Sequence, residues 1–250
     1  MAIVPTKGIC LCLFLLIVST SLRAKDCVIL LHGLARGADS MQQLQKGLEQ
    51  AGYSVANIDY PSRQARVENL AGIAINEGIA QCRLKNARNI NFVTHSMGGI
   101  LVRYFLAKKT IEDLARVVML GPPNKGSEVV DELKSLEIFE WINGPAGQQL
   151  GTDEQSLVNQ LGKVDFELGV IAGTRTINPI LSTILPEQDD GKVTVKNTKV
   201  EGMCSFVKLP VTHTFMMMND TVERQVLSFL NNGQFSHPSA QNDLCGKKGF

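Results

Sequence analysis

The sequence lacks most of what would mark a nucleic-acid-binding, membrane-spanning or metal-cluster protein. Lys and Arg number 25 against 24 Asp and Glu, so there is no basic excess with which to displace counterions from a polyanion. No nucleic-acid partner is expected. The unbroken apolar run at 9–18 is ten residues long, about half of the roughly 20 that cross a bilayer. Beyond residue 25 no two cysteines lie close together, and the spacing of Cys27, Cys82, Cys204 and Cys245 matches no zinc site. Neither a metal nor a cofactor is expected. Histidine is scarce, with four in the chain, and there is no internal repeat or domain linker.

What is present is a globular composition. With 44% hydrophobic and 20% charged residues over 250 positions, the chain can bury a substantial core as one domain, 25–250. Ahead of it, Lys7, the apolar run and Leu22-Arg23-Ala24 form an export signal over 1–24, with cleavage expected after Ala24. Its loss removes Lys7, Arg23 and no acid, leaving the remainder near neutral. Cys10 and Cys12 leave as well, and the four remaining cysteines form an even set suited to disulfides in an exported protein.

The pattern along the chain alternates. Short β-prone apolar runs at 28–31, 53–58, 90–94, 117–120, 167–172 and 205–210 read as strands. Between them stand helical faces: Met41, Leu44, Leu48 and Ala51, capped by Asp39 or Ser40 and ended by Gly52; then Val67, Ala71, Ile75, Ile79 and Cys82; then 98–108 and finally 220–230. Such alternation predicts an α/β protein with a mostly parallel twisted sheet and helices on both faces. The stretch 121–188 breaks the rhythm and is expected to be an insertion over the sheet's carboxyl edge. There Leu136, Phe139, Trp141 and Ile142 suit either an acyl pocket or lid wall or plain core. The tail from 233 is polar and expected to be loose except where Cys245 tethers it.

Chemistry concentrates at Thr94-His95-Ser96-Met97-Gly98-Gly99, a serine between a strand and an amphipathic helix. A sharp turn there holds a nucleophile proud of the sheet, and small residues after it let helix and strand approach. A serine hydroxyl needs a base. His213, in the loop between the last strand and last helix, can reach over the sheet edge, whereas His95 is expected to pack beside the site, His32 to shape its own turn and His237 to lie in the tail. The acid that orients the base falls between the two in chain order. Asp189 and Asp190 both qualify, and Asp190, directly before Gly191, is preferred. Backbone amides of Met97 and of Leu34, in the turn His32-Gly33-Leu34, are the expected oxyanion donors.

Taken together, these motifs resemble the lipase and esterase branch of the α/β-hydrolase superfamily, of bacterial type. The resemblance implies the α/β-hydrolase fold with an insertion before the acid, and an ester substrate with an apolar acyl group. It also implies nucleophile Ser96, acid Asp190, base His213, oxyanion donors Leu34 and Met97, and transient contact with lipid surfaces. It further implies the disulfide pairs Cys27–Cys82 and Cys204–Cys245. Two departures stand out: Thr94 replaces the usual glycine of the elbow, and Phe215 replaces the aspartate of calcium-dependent lipases, so calcium is not expected. An acyltransferase would use the same side chains, and a silent binding protein could keep the scaffold.

Overall fold

Six apolar runs form one sheet in the order β2-β1-β3-β4-β5-β6, every neighbouring pair parallel. The computed structural model describes residues 26–177, 184–185 and 187–245, with the side chains of 137–141 left aside. The expected export segment and its cleavage point lie outside the described residues, as does the end of the tail, 246–250. The strands are β1 (Cys27–Leu31), β2 (Ser54–Ile58), β3 (Ile90–His95), β4 (Leu114–Leu120), β5 (Leu168–Gly173) and β6 (Ser205–Leu209). Each strand's apolar run divides by alternation between two cores. Ile29, Leu31, Phe92, Met119 and Val170 pack on α2 (Val67–Leu84) and α3 (Met97–Leu106). Val28, Leu30, Val93, Val118 and Ile171 pack on α1 (Gln42–Gln50) and the last helix, α7 (Asp220–Asn232). Burial on both faces is why the strands read as continuous hydrophobic runs.

Three expectations need correction. Neither Asp39 nor Ser40 caps α1: both lie in a 3-10 turn, Ala38–Met41, that precedes it. The Asp39 carboxylate accepts from the adjacent Ser40 N–H, and the Ser40 hydroxyl donates to Gly37 O. The stretch 121–188 is not one insertion, because β5, paired between β4 and β6, divides it. Between β4 and β5 lie α4 (Glu128–Leu133), α5 (Glu137–Gly147) and α6 (Leu157–Gln160). Arg103 of α3 braces this connection, donating to Asn124 O and Oδ1 and to Gly162 O, and burial lowers its pKa to about 10. The candidate pocket residues Leu136 and Ile142 are 47% and 42% exposed, which removes them from the core, while the side chains of Phe139 and Trp141 lie outside the description.

The tail is not loose either. Phe235 is buried, Phe206 and Gln241 form a β-bridge, and Asn242 pairs with the backbone of Phe235 and with the Ser205 hydroxyl. Disulfides join Cys27 to Cys82 and Cys204 to Cys245, across sequence separations of 55 and 41 residues. The first ties β1 to the end of α2 inside the core, and the second ties the tail to β6. Loop-closure entropy assigns each about 4 kcal/mol. A Cys27→Ala/Cys82→Ala variant is therefore expected to lose about 2–5 kcal/mol in urea unfolding, and an unmoved unfolding midpoint would contradict this. Among the described residues no helix is long and apolar enough to cross a membrane.

Candidate active site

The carboxyl ends of β1, β3, β4 and β5 and the loops after β5 and β6 converge on Ser96. This residue sits between β3 and α3 with φ 53° and ψ −121°, a left-handed conformation uncommon for a residue with a side chain and characteristic of strained functional turns. Its amide donates to Leu120 O of β4 at 2.8 Å, which anchors the strained turn to the sheet. The turn closes because α3 starts against β1: a Cβ on Gly98 would stand 2.6 Å from Leu31 O. Thr94, where glycine is usual, is accommodated from the helix side. Gly99 has no side chain to meet it, and a Cβ there would lie 3.3 Å from Thr94 Oγ1.

His213 Nε2 lies 3.0 Å from Ser96 Oγ, and His213 Nδ1 lies 2.8 Å from Asp190 Oδ2. Both His213 and Asp190 are buried. The other carboxylate oxygen, Asp190 Oδ1, accepts from the amides of Lys192 at 3.1 Å and Val193 at 2.9 Å. Asp190 O accepts from the His213 amide at 2.9 Å. The carboxylate is thus held on one side by its own turn and offered on the other to the imidazole. Its neighbour Asp189 is used locally, accepting from Gly191 N. With the carboxylate ionised, the proton shared with Asp190 resides on Nδ1, which leaves the Nε2 lone pair facing the serine hydroxyl.

The turn after β1 stands over the elbow, since a Cβ on Gly33 would lie 3.2 Å from Ser96 Cβ. Its shape is fixed from beneath. The buried His32 ring stacks on Tyr60, centroids 4.1 Å apart, and its Nδ1 donates to Gly33 O while Nε2 accepts from Tyr60 N. The Tyr60 hydroxyl donates to His32 O at 2.5 Å, and Ser62 Oγ accepts from Ala35 N. Of the two expected amide donors, Leu34 follows Gly33 in this turn and Met97 follows Ser96 in the chain. Met97 opens α3, where first-turn N–H groups have no intrahelical acceptor.

Reading the sequence missed Gly121 and Gly173, at the ends of β4 and β5. Gly121 has φ 54°, and a Cβ on it would stand 2.9 Å from Asp190 Oδ2 and 3.1 Å from His213 Nδ1. A Cβ on Gly173 would stand 2.7 Å from Asp190 Cβ. Both glycines clear the space that the imidazole and carboxylate occupy, and Met216 fills the floor beside them. A lone glycine after a strand otherwise reads as turn punctuation.

Burial disfavours the charged form of both His95 and His32. Burial holds His95 well below the ordinary imidazole value of 6.5, helped by the nearby His213, Arg36 and Lys192. Burial also lowers His32, outweighing the exposed Asp59, 3.5 Å from its Nε2, and Asp39. Below pH 6.5 the unfolded chain takes up protons at these positions that the folded chain refuses, so stability falls as pH drops from there toward the folded values and is unaffected by them above it. Melting temperature is expected to decline on acidification through this window, less steeply in His95→Gln. Parallel profiles for the two proteins would contradict it. His237 bonds Ser239 in the tail, away from the site. Among the described residues no three His, Cys, Asp or Glu side chains converge as metal ligands.

No protein-family model matches the sequence, nor does any curated protein. Solved structures do resemble it. The mature lipase BlEst2 of Bacillus licheniformis matches with a TM-score of 0.65 at 18% identity, over 83% of this chain and 92% of the lipase. The metagenomic carboxyl esterase MGS0156 matches with a TM-score of 0.62 at 18% identity, over 76% of this chain and 65% of the esterase. Lipase B of Aspergillus fumigatus matches with a TM-score of 0.60 at 16% identity, over 86% of this chain and 54% of the lipase. Likeness at that level of identity is a likeness of architecture, and together with the parallel sheet and its helical layers it shows that the chain has the α/β-hydrolase fold.

Proposed function

We propose that the protein is an exported carboxylic-ester hydrolase that works through an acyl-enzyme on Ser96. The observation that carries this reading is the unbroken line from Ser96 Oγ through His213 to Asp190, with links of 3.0 and 2.8 Å, standing on a strained elbow. His213 Nε2 takes the hydroxyl proton as Oγ attacks the ester carbonyl carbon. The carbonyl oxygen becomes an oxyanion, which the amides of Leu34 and Met97 stabilise. Collapse breaks the bond to the alcohol, which leaves with the proton held on Nε2. Water then attacks the acyl-serine, giving its proton to His213, and the acid departs as Oγ regains a proton.

An apolar acyl group is supported by the exposed Leu136 and Ile142 on and beside α5, whose end packs against Leu34: a Cβ on Gly147 would lie 3.2 Å from Leu34 Cδ2. The same exposed residues suit transient contact with a lipid surface. Export is supported by the two disulfides, which persist in oxidising compartments, and by the composition of 1–24. Hydrolysis of a p-nitrophenyl ester series by the purified protein tests the reading. Turnover rising with acyl length, with free acid and alcohol released in equal amounts, is expected. No turnover of any chain length would contradict it, and acyl transfer to an added alcohol at the expense of free acid would convert the reading to acyltransferase.

A further inference from the structure

The residue before the nucleophile is an unusual occupant for its place. His95 is 1% exposed, and its Nδ1 has no hydrogen-bond partner. That nitrogen faces the turn after β1, where a Cβ on Gly33 would lie 2.8 Å from it. Burying a polar atom unpaired is unfavourable, and an aliphatic side chain of similar size would fill the space without that cost. What the imidazole supplies is therefore at its other nitrogen. Nε2 lies 2.9 Å from His213 O, and a carbonyl only accepts, so Nε2 carries the proton and donates. The two rings lie 4.8 Å apart at an angle of 51°, so they are not stacked and this hydrogen bond is the directional contact between them.

The consequence concerns the base. His213 lies in an irregular loop between β6 and α7, with no ladder hydrogen bonds to hold it. Its amide donates to Asp190 O at 2.9 Å and its carbonyl accepts from His95. One bond therefore ties the base's backbone to the acid, and the other ties it to the residue next to the nucleophile.

We propose that His95 is a positioning residue, which sets the reach between the His213 imidazole and the Ser96 hydroxyl by hydrogen-bonding the His213 carbonyl. The proposal rests on the reading of Ser96 and His213 given under Proposed function. Gln places an amide Nε2 about where the imidazole has its own, Asn carries the same amide one carbon short, and Leu has no donor. In His95→Leu and His95→Asn, kcat on a p-nitrophenyl ester is expected to fall about 100-fold, the scale of a misplacement of about 1 Å, with KM little changed. His95→Gln is expected to stay within a few-fold of the parent. A role in packing alone would make the loss follow the melting temperature and would not distinguish Gln from Asn.

The low-field proton resonance of the His213–Asp190 hydrogen bond gives a readout independent of turnover. It is expected to persist in the Gln variant and to broaden or vanish in the Asn variant. Parental kcat in His95→Leu, an equal loss in Gln and Asn, or a resonance that is the same in both would overturn the proposal. If the Leu variant does not fold, the Gln and Asn pair decides. If the parent protein neither turns over esters nor reacts with a fluorophosphonate, the functional reading fails, and the resonance still decides whether His95 holds His213.

Discussion

Replacing Ser96 with Ala is expected to lower kcat on any ester substrate by about a million-fold, the scale seen when the nucleophile of a serine triad is removed, while leaving the fold unchanged. The backbone at 96 keeps its φ of 53° with either side chain, and its amide remains bonded to Leu120 O. Only the hydroxyl that meets His213 Nε2 is lost, from a partly exposed position where water replaces it. Stability should therefore change by no more than about 1 kcal/mol. Burst kinetics and circular dichroism on the same preparation check both halves. Retained turnover with native dichroism would mean that another group attacks the ester.

Asp190→Asn is expected to lower kcat by about ten thousand-fold, and the structure gives a particular reason. Asp190 Oδ1 accepts two backbone amides, those of Lys192 and Val193. An asparagine keeps those bonds only by pointing its carbonyl oxygen at them, which turns its NH2 toward His213 Nδ1. Two donors cannot face each other, so Nδ1 must become the acceptor and the ring's proton moves to Nε2, the atom that has to receive the serine proton. The imidazole is then in place and in the wrong tautomer. Turnover should recover partly at high pH, where hydroxide serves as base. Asp189→Asn should leave kcat within a few-fold, and an equal loss at both positions would contradict the assignment.

How much of this was legible in the sequence depended on which physical signal each element carries. Strands buried on both faces show as apolar runs, so their number and their places along the chain were readable, whereas their order in the sheet was not. The start of β4 was placed at Val117 rather than Leu114 because Leu114 to Arg116 are only half-buried and break the run. The tail looked loose because its order comes from hydrogen bonds of Asn242, Gln241 and Gln225 rather than from a hydrophobic period. The stretch after β4 looked like one insertion although a strand was read at 167–172, because the turns and short helices on either side of β5 (Leu168–Gly173) interrupt the regular strand-helix spacing.

At the site, the elbow was visible as local chemistry: a strand, a serine, two glycines and a helix. His213 and the aspartate pair followed from chain order and loop position. Which of two adjacent aspartates faces the imidazole is a matter of turn geometry, since neighbouring side chains diverge, and the structure turns Asp190 inward while Asp189 serves Gly191 N. The clearance made by Gly121 and Gly173, and the donor role of His95 toward a carbonyl 118 residues away in sequence, have no local signature. They exist only once four loops meet at one end of the sheet.

The central claim is that the hydroxyl at Ser96 is activated. Incubation of the native protein with a fluorophosphonate, followed by intact-mass and peptide mass spectrometry, tests it most directly. One equivalent of phosphonyl group on the peptide containing Ser96, and none after denaturation or in Ser96→Ala, is the result expected. An unmodified Ser96 in the natively folded protein would contradict the account.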